Sequence, residues 1–341
     1  MSEPFFHIAI ASDWNYLPHA GTVFRSIYQN QRHPLFFHLM TIDPKVADDP
    51  KIRQLFDEMN SEICQAEILL IDEHDSFLAA QPQGGVTPYQ SAYLRFIASD
   101  QIHADRILYL DCDTIILDDL EEIFSLDFGN KTIAAVPELF AGAFIFEKGF
   151  GLRYFNSGVM LINAKLWREN HLTEKIIHFM KYRFNKLNEN KKHYGDQDIL
   201  NIFFQGQVVY LHPRYNLVNP VLLRRWYFSG KLFDDAVTHP AIVHFAGGTK
   251  PWNYWDGHPL ADKYLFYRKQ TPWADIVLPQ TTLSQILRLC SKRSKYHFSR
   301  LIYPLADFFR RVFGYPSRKV RSELIEYLMA ETAAIQEDET A

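Results

Sequence analysis

Short runs of almost unbroken apolar residues recur along this chain, each followed by a stretch with helical spacing. "FFHIAIASDWN", "LFFHLMTID", "AEILLID" and "RILYLDCD" are strand-like. Between them, His19 to Gln31, Ile52 to Asn60 and Tyr89 to Ser99 carry apolar residues three and four apart. A strand exposed on one face would alternate apolar with polar residues. These do not alternate, so both of their faces must be covered. The alternation of strands with helices predicts an α/β fold with a sheet packed between helices. "TIAAVPE" and "GVMLINA" add two strands, Trp167 to Leu187 reads as a helix, and an Asn/Lys-rich loop runs on to Tyr194. "DQDILNIFF" opens another helix, and "QVVYLH" and "AIVHFAG" are late strands. No internal repeat is visible.

One of these strands carries a feature that packing does not explain. In "ILYLDCDTIILDDL", Asp111 and Asp113 interrupt an apolar run. Uncompensated buried charge is unfavourable, so the pair needs a cation or an opening to water. On a strand, residues two apart share a face, so Asp111 and Asp113 are expected side by side, with Cys112 turned into packing. Ligands in α/β sheets bind at strand ends, and two oxygen ligands suit Mg²⁺ or Mn²⁺. A strand end with solvated aspartates is the plainer reading. A third is a phosphatase of the haloacid-dehalogenase type, which also has an Asp-x-Asp after an apolar strand. Such enzymes want Thr or Val where this chain has Ile115, and their pair lies nearer the N-terminus.

At 341 residues the chain exceeds one simple core, so a large domain with an appendage, or two domains, is expected. The three cysteines, Cys64, Cys112 and Cys290, are far apart and form no CxxC, which argues against a disulfide framework and for a reducing compartment. The start, "MSEPFFHIAIASD", lacks a basic signal-peptide region. No stretch approaches the roughly 18 apolar residues of a membrane span.

The net charge of −4 conceals an uneven distribution. Gln280 to Arg321 holds ten Lys/Arg against one acid, Asp307, so the remainder carries about −13. In this segment Phe298, Leu301, Ile302, Leu305, Phe308, Phe309 and Val312 follow helical spacing, flanked by Arg300, Arg310 and Arg311, with Pro304 marking a kink or a start. A basic amphipathic helix reads as a surface for anionic lipid. A helix packed on the acidic body is the alternative, and nucleic acid is disfavoured because no recognition motif accompanies the charge. The expected organisation is therefore a main domain over 1–278, a basic helical membrane-association segment over 279–321, and an acidic, mobile tail over 322–341.

"IASDWNY", "YLDCDTII", "YFNSGVMLINAKLWR", "GDQDILN" and "HFAGGTKPW" occur in that order. Together they resemble the family 8 retaining glycosyltransferases, most nearly the bacterial lipopolysaccharide or lipooligosaccharide glucosyl- and galactosyltransferases, over roughly Phe6 to Trp273. The resemblance implies a GT-A-type fold, a Rossmann-like mixed sheet flanked by helices. It also implies transfer of glucose or galactose from a UDP-sugar, with retention, to a core saccharide on a lipid carrier. The place of action would be cytoplasmic, at the inner face of the bacterial inner membrane.

By the same resemblance His244 completes a metal site with Asp111 and Asp113, and an imidazole among carboxylates favours Mn²⁺ over Mg²⁺. A histidine packed in an apolar strand is the alternative. Gly247 and Gly248 would let backbone approach the diphosphate, with Lys250 supplying charge. Asp13, Asn15 and Tyr16 would hold the base and ribose, unless the segment is an Asx turn with Tyr16 in the core. Arg95 would reach the donor, or else form a salt bridge on a helix surface. Cys112 is counted with the donor-binding segment. Asp196 would accept from sugar hydroxyls, Gln197 would sit near the reacting carbon, and Asn156 would be a further sugar contact. Alternatively, "DQD" caps its helix and Asn156 is a polar strand-start residue. Because an amide is a weak nucleophile, front-face attack is favoured, with Gln197 stabilising positive charge on the sugar. A glycogenin-like self-glucosylating enzyme and a non-catalytic sugar-nucleotide binder remain alternatives.

Overall fold

The computed structural model describes residues 5–72, 90–138, 153–184, 195–223, 228–248, 250–253 and 258–275, with 290–291, 320–321, 326 and 329–330. Its centre is a seven-stranded sheet. The strands are β1 (Phe6–Ala11), β2 (Leu35–Thr41), β3 (Cys64–Leu70), β4 (Arg106–Leu110), β6 (Ile133–Pro137), β7 (Phe155–Asn163) and β8 (Val208–Tyr210), in the order β3-β2-β1-β4-β7-β6-β8. β7 runs antiparallel to both β4 and β6, and the other pairings are parallel. The sheet is therefore mixed. Its direction of winding reverses between β1 and β4, where ligands bind in folds of this kind.

The unbroken apolar character of the strands follows from cover on both faces. Ile8 and Ile10 of β1 and Leu108 and Leu110 of β4 enter one core. Their alternates, Ala9, Ala11, Ile107 and Tyr109, enter another on the opposite face. The first core is closed by α1 (Leu17–Asn30), which buries Leu17, Ala20, Val23, Phe24 and Ile27. The helix Pro50–Met59 buries Ile52, Leu55, Phe56 and Met59, and the Asp49 carboxylate caps it through the Lys51 and Ile52 amides. Trp273 joins this core against Gly21, where an added Cβ would lie 2.4 Å from the indole.

A second, smaller sheet determines the site. β5 (Thr114–Ile116), β9 (Leu217–Val218) and β11 (Ile242–His244) form it in the order β5-β11-β9, over a third apolar cluster containing Ile115, Val243, Phe245 and Tyr264. β4 ends at Leu110 and β5 begins at Thr114, so Asp111–Asp113 is the turn joining the two sheets. The expectation of a strand through this pair is thus corrected. The two carboxylates converge because the chain turns there, not because of strand alternation.

Two predicted helices also differ. Where a helix is expected up to Ser99, the described residues form a 3₁₀ helix, Gln90–Phe96, followed by one α-turn, Ala98–Gln101. With three residues per turn, Ala92 and Arg95 stack, and Arg95 Nε donates to the Ala92 carbonyl at 2.7 Å. The long helix expected from Trp167 is two helices, Ala164–Glu169 and Leu172–Phe179, broken at His171, whose φ is 50°. The remainder to Leu187 is a π-turn, Met180–Phe184, and residues outside the described set.

Most of the basic segment, including the pattern from Phe298 to Val312, lies outside the described residues. Val320–Arg321 pair, as strand β12, with β10 (Phe228–Ser229). Met329 packs against the second and third apolar clusters, so the tail expected to be mobile meets the body at that point. No described helix is long and apolar enough to cross a membrane.

Candidate active site

A cavity of about 460 Å³ opens at the C-terminal ends of β1 and β4. Asp13 and Tyr16 line it from the loop after β1, and Arg95 lines it from the 3₁₀ helix. The Asp111–Cys112–Asp113 turn forms its floor, Asp196 and Gln197 enter from the helix Asp196–Phe203, and Gly247 and Lys250 enter from the loop after β11. Asn15 and Asn156 are absent from this lining. Asn15 is exposed on the loop. Asn156 is buried behind the cavity, its amide committed to Glu138, Gly158 and Asn216.

Asp111, Asp113 and His244 each offer a ligand atom, all within 4.8 Å of one another. His244 Nε2 lies 3.1 Å from Asp113 Oδ1 and 3.9 Å from Asp111 Oδ2. Backbone bonds hold this arrangement: Asp111 N–H donates to Gly158 O at 2.8 Å, and Phe245 N–H to Asp113 O at 2.8 Å. A Cβ on residue 158 would sit 2.3 Å from His244 Cε1 and 2.6 Å from Asp111 Oδ2, so only glycine leaves room for the ring and the carboxylate together. Two carboxylates and an imidazole, drawn together around a cradle that a methyl group would fill, fit a divalent cation such as Mn²⁺ or Mg²⁺. Among the described residues His33, Asp119 and Glu121 make a second such cluster, partly exposed, and none of its members lines the cavity.

Charge around the turn is closely balanced. Burial alone would raise the Asp113 carboxyl, but the Lys250 ammonium and His244 outweigh it and hold that carboxyl well below the ordinary carboxylate range. Lys250 pairs with Asp113 Oδ2 and also donates to the Phe245 carbonyl at 2.9 Å. Arg95 is 4% exposed, which excludes a surface salt bridge. Its guanidinium donates to Asp111 Oδ1 at 2.8 Å and to Ser157 O and Oγ at 2.7 and 2.9 Å, and it lies 3.2 Å from Asp196 Oδ2 and over the Tyr109 ring. Burial pushes the Asp196 carboxyl up to about 6, despite Arg95 beside it.

Gln197 is fixed by its neighbours. Its Oε1 accepts from the Ser157 N–H at 3.0 Å, and its Nε2 faces the Tyr154 hydroxyl at 3.4 Å. That hydroxyl donates to Asp198 Oδ1 at 2.6 Å. Gly195 occupies the N-cap position, and the Asp196 carboxylate at the first turn accepts from its own and the Gln197 N–H while lining the cavity. Two alternative readings hold together at the first loop. Asp13 Oδ1 accepts from the Tyr16 N–H at 3.0 Å as an Asx turn does, and Tyr16 packs on the first core, while both still line the cavity. Gly247 has φ 84°, a conformation that favours glycine, and open space surrounds Gly247 and Gly248. Cys112 is buried with its thiol toward the Ala11 carbonyl at 3.1 Å, and burial raises its pKa.

Sequence reasoning missed Gly158, Ser157, Tyr154 and Asn216 as parts of the site. The first three stand in the "YFNSG" stretch, where a glycine within an apolar strand signals close approach by another group. No local signal marks Asn216.

The model of "Glycosyl transferase family 8" matches residues 7–256. General stress protein A of Bacillus subtilis (strain 168) is 32% identical over 288 residues, covering 81% of this chain and 98% of that protein. Lipopolysaccharide 1,2-glucosyltransferase of Escherichia coli is 30% identical over 291 residues, covering 80% of each chain. The galactosyltransferase LgtC, solved with donor and acceptor sugar analogs, superimposes with a TM-score of 0.61 at 23% identity, over 82% of this chain and all (100%) of that one. The fold is therefore of the GT-A type.

Proposed function

The chain belongs to glycosyl transferase family 8 and is a glycosyltransferase, and from that premise we propose that it moves glucose or galactose from a UDP-sugar to a lipopolysaccharide-type core saccharide, with retention. The observation that carries the donor reading is the convergence of Asp111, Asp113 and His244 beside Lys250 at the floor of a cavity at the C-terminal ends of β1 and β4. A phosphatase is set aside by the family and by the histidine in the cluster. The acceptor class rests on the lipopolysaccharide relatives, among them the glucosyltransferase of Escherichia coli.

In this reading Asp13 and Tyr16 receive the nucleoside. Asp111, Asp113 and His244 would hold Mn²⁺, which would supply Lewis-acid neutralisation of the charge gathering on the departing diphosphate. Lys250 donates to a phosphate oxygen across the open backbone at Gly247. Asp196 accepts from a hydroxyl of the hexose. Gln197, held by Ser157 and Tyr154, presents its amide to the sugar as positive charge develops there. The acceptor hydroxyl enters on the face the diphosphate leaves, and its proton passes to a diphosphate oxygen. Arg95 pairs with Asp111 and Asp196 and, lining the cavity beside them, reaches the donor.

The basic segment would hold the enzyme on the cytoplasmic, anionic face of the inner membrane, where such an acceptor is exposed. A donor panel of UDP-glucose, UDP-galactose and their N-acetyl forms with Mn²⁺, read as UDP release, tests the reading. Release with one hexose donor, and its loss on chelation, is expected. No release with any of them, on a lipopolysaccharide-core acceptor, would sink it. Sugar appearing on the protein itself would replace it with the self-glucosylating alternative.

A further inference from the structure

Behind His244 runs a line of polar groups that take no part in lining the cavity. His244 Nδ1 lies 3.0 Å from Asn216 Oδ1, Asn216 Nδ2 lies 3.0 Å from Asn156 Oδ1, and Asn156 Nδ2 lies 2.8 Å from Glu138 Oε2. Asn216 is fully buried at 0% exposure, and Asn156 and His244 are nearly so. We propose that Asn216, Asn156 and Glu138 are positioning residues that dictate which nitrogen of His244 faces Asp111 and Asp113, and so hold the ring as a cation ligand. The proposal rests on the metal-site reading above.

One backbone group determines the direction of the whole line. The Gly158 N–H can only donate, and it lies 3.1 Å from the Asn156 side chain. The atom it meets must be the amide oxygen, so the Asn156 nitrogen faces Glu138, which accepts. With its oxygen toward Asn216, Asn156 can only accept there, so Asn216 presents its nitrogen to Asn156 and its oxygen to His244. That oxygen cannot donate, so Nδ1 of His244 carries the proton. Nε2 is then the atom turned to the aspartates, 3.1 Å from Asp113 Oδ1. Reversing any one amide would leave two buried oxygens, or two buried N–H groups, opposed and unsatisfied. The line also crosses between the sheets: His244 ends β11 and Asn216 precedes β9 in the small sheet, while Asn156 lies on β7 and Glu138 follows β6 in the large one. Ring orientation is thereby tied to the docking of one sheet on the other. Hydrogen bonds of this kind behind a metal-bound histidine contribute roughly 10–100-fold in metal affinity.

The test titrates the full chain with Mn²⁺ in the absence of donor. Electron paramagnetic resonance follows bound ion, spin-echo modulation reads coupling to an imidazole nitrogen, and the thermal midpoint is recorded alongside. Asn216→Ala should weaken Mn²⁺ binding roughly 10–100-fold and remove the nitrogen coupling. Asn156→Asp keeps acceptors for Gly158 and Asn216 but sets a carboxylate against Glu138, and should weaken binding similarly. Adding Glu138→Gln to Asn156→Asp supplies a donor in the opposite sense and should restore affinity and coupling, which a merely structural role for these residues would not produce. The single and double variants built on Asn156→Asp keep the test decisive if Asn216→Ala does not fold. Parent-like affinity and coupling in a folded Asn216→Ala, or no recovery in the folded double variant, would overturn the relay alone. Absence of Mn²⁺ binding by the parent would overturn the metal reading on which it rests.

Discussion

Gly158 and His244 are packed so closely that a methyl group on the glycine would lie 2.3 Å from the imidazole Cε1. The same methyl would lie 2.6 Å from Asp111 Oδ2, so the strand β7 and two of the three candidate ligands share one small volume. Gly158→Ala is expected to displace the ring or the carboxylate. Mn²⁺ affinity should fall by roughly 10–100-fold, within the range for a misdirected ligand, with the circular dichroism spectrum retained. Parent-like Mn²⁺ affinity in this variant would show that the ring has room that the geometry denies it.

Asp113→Ala removes a ligand atom and the counter-charge of Lys250 in one step. Transfer should drop by about 10³-fold, equivalent to about 4 kcal/mol of barrier. The measurement is UDP release under saturating Mn²⁺. A variant that still transfers sugar near the parent rate would remove the aspartate from the chemistry.

Arg95 is buried and bound by Asp111, Asp196, Ser157 and the Ala92 carbonyl. Lysine carries the charge but not the planar fork that meets these partners at once. Arg95→Met leaves two carboxylates facing each other without a cation, and breaking a buried pair in this way costs roughly 3–5 kcal/mol. Urea denaturation should show a loss of that order for methionine and a clear, smaller loss for lysine. Equal stability of Arg95→Lys and the parent would mean that charge alone suffices there.

Acid should destabilise the fold through two histidines remote from the cavity. His7 Nδ1 lies 2.9 Å from His38 Nε2, and His38 Nδ1 lies 2.7 Å from Glu67 Oε1, across β1, β2 and β3. Burial pushes His7 down to about 4 and His38 down to about 3, from an ordinary 6.5. The folded chain keeps both rings neutral while the unfolded chain takes up protons. Stability is therefore full above pH 6.5 and is lost as pH falls from there toward 4, by about 2 kcal/mol per histidine at pH 5. His7→Leu combined with His38→Leu should flatten the dependence of stability on pH between 6.5 and 5 by about two protons. An unchanged slope would place the acid sensitivity elsewhere.

Reversing charge in the basic segment separates membrane attachment from chemistry. Replacing Arg300, Arg310 and Arg311 by Glu should abolish co-sedimentation with vesicles rich in anionic lipid, each basic residue contributing about 1 kcal/mol at such a surface. Turnover on a soluble acceptor should be unaffected. Undiminished vesicle binding would leave the segment without its proposed role.

The strands, the helices that cover them and the place where carboxylates interrupt an apolar run are legible along the chain. Each of these is a local pattern, written in neighbouring residues by the need to bury apolar faces. The sequence also put Asp111, Asp113, Asp196, Gln197, Gly247 and Lys250 at strand ends or helix starts, where the structure gathers them around one cavity. It named Asn15 and Asn156 as well, and the structure has Asn15 exposed on its loop and Asn156 bonded to Glu138, Gly158 and Asn216, because a polar residue near a strand end reads the same whether it faces the cavity or the packing behind it. The pairing of β5 with β11, which brings His244 to the turn between the two sheets, arises only on folding. In the folded chain, too, Asn156, set by the neighbouring Gly158 N–H, meets Glu138 and Asn216, and Asn216 passes that direction on to His244. Hydrogen-bond polarity and ring orientation depend on groups brought together from distant parts of the chain, and no periodicity along it records them.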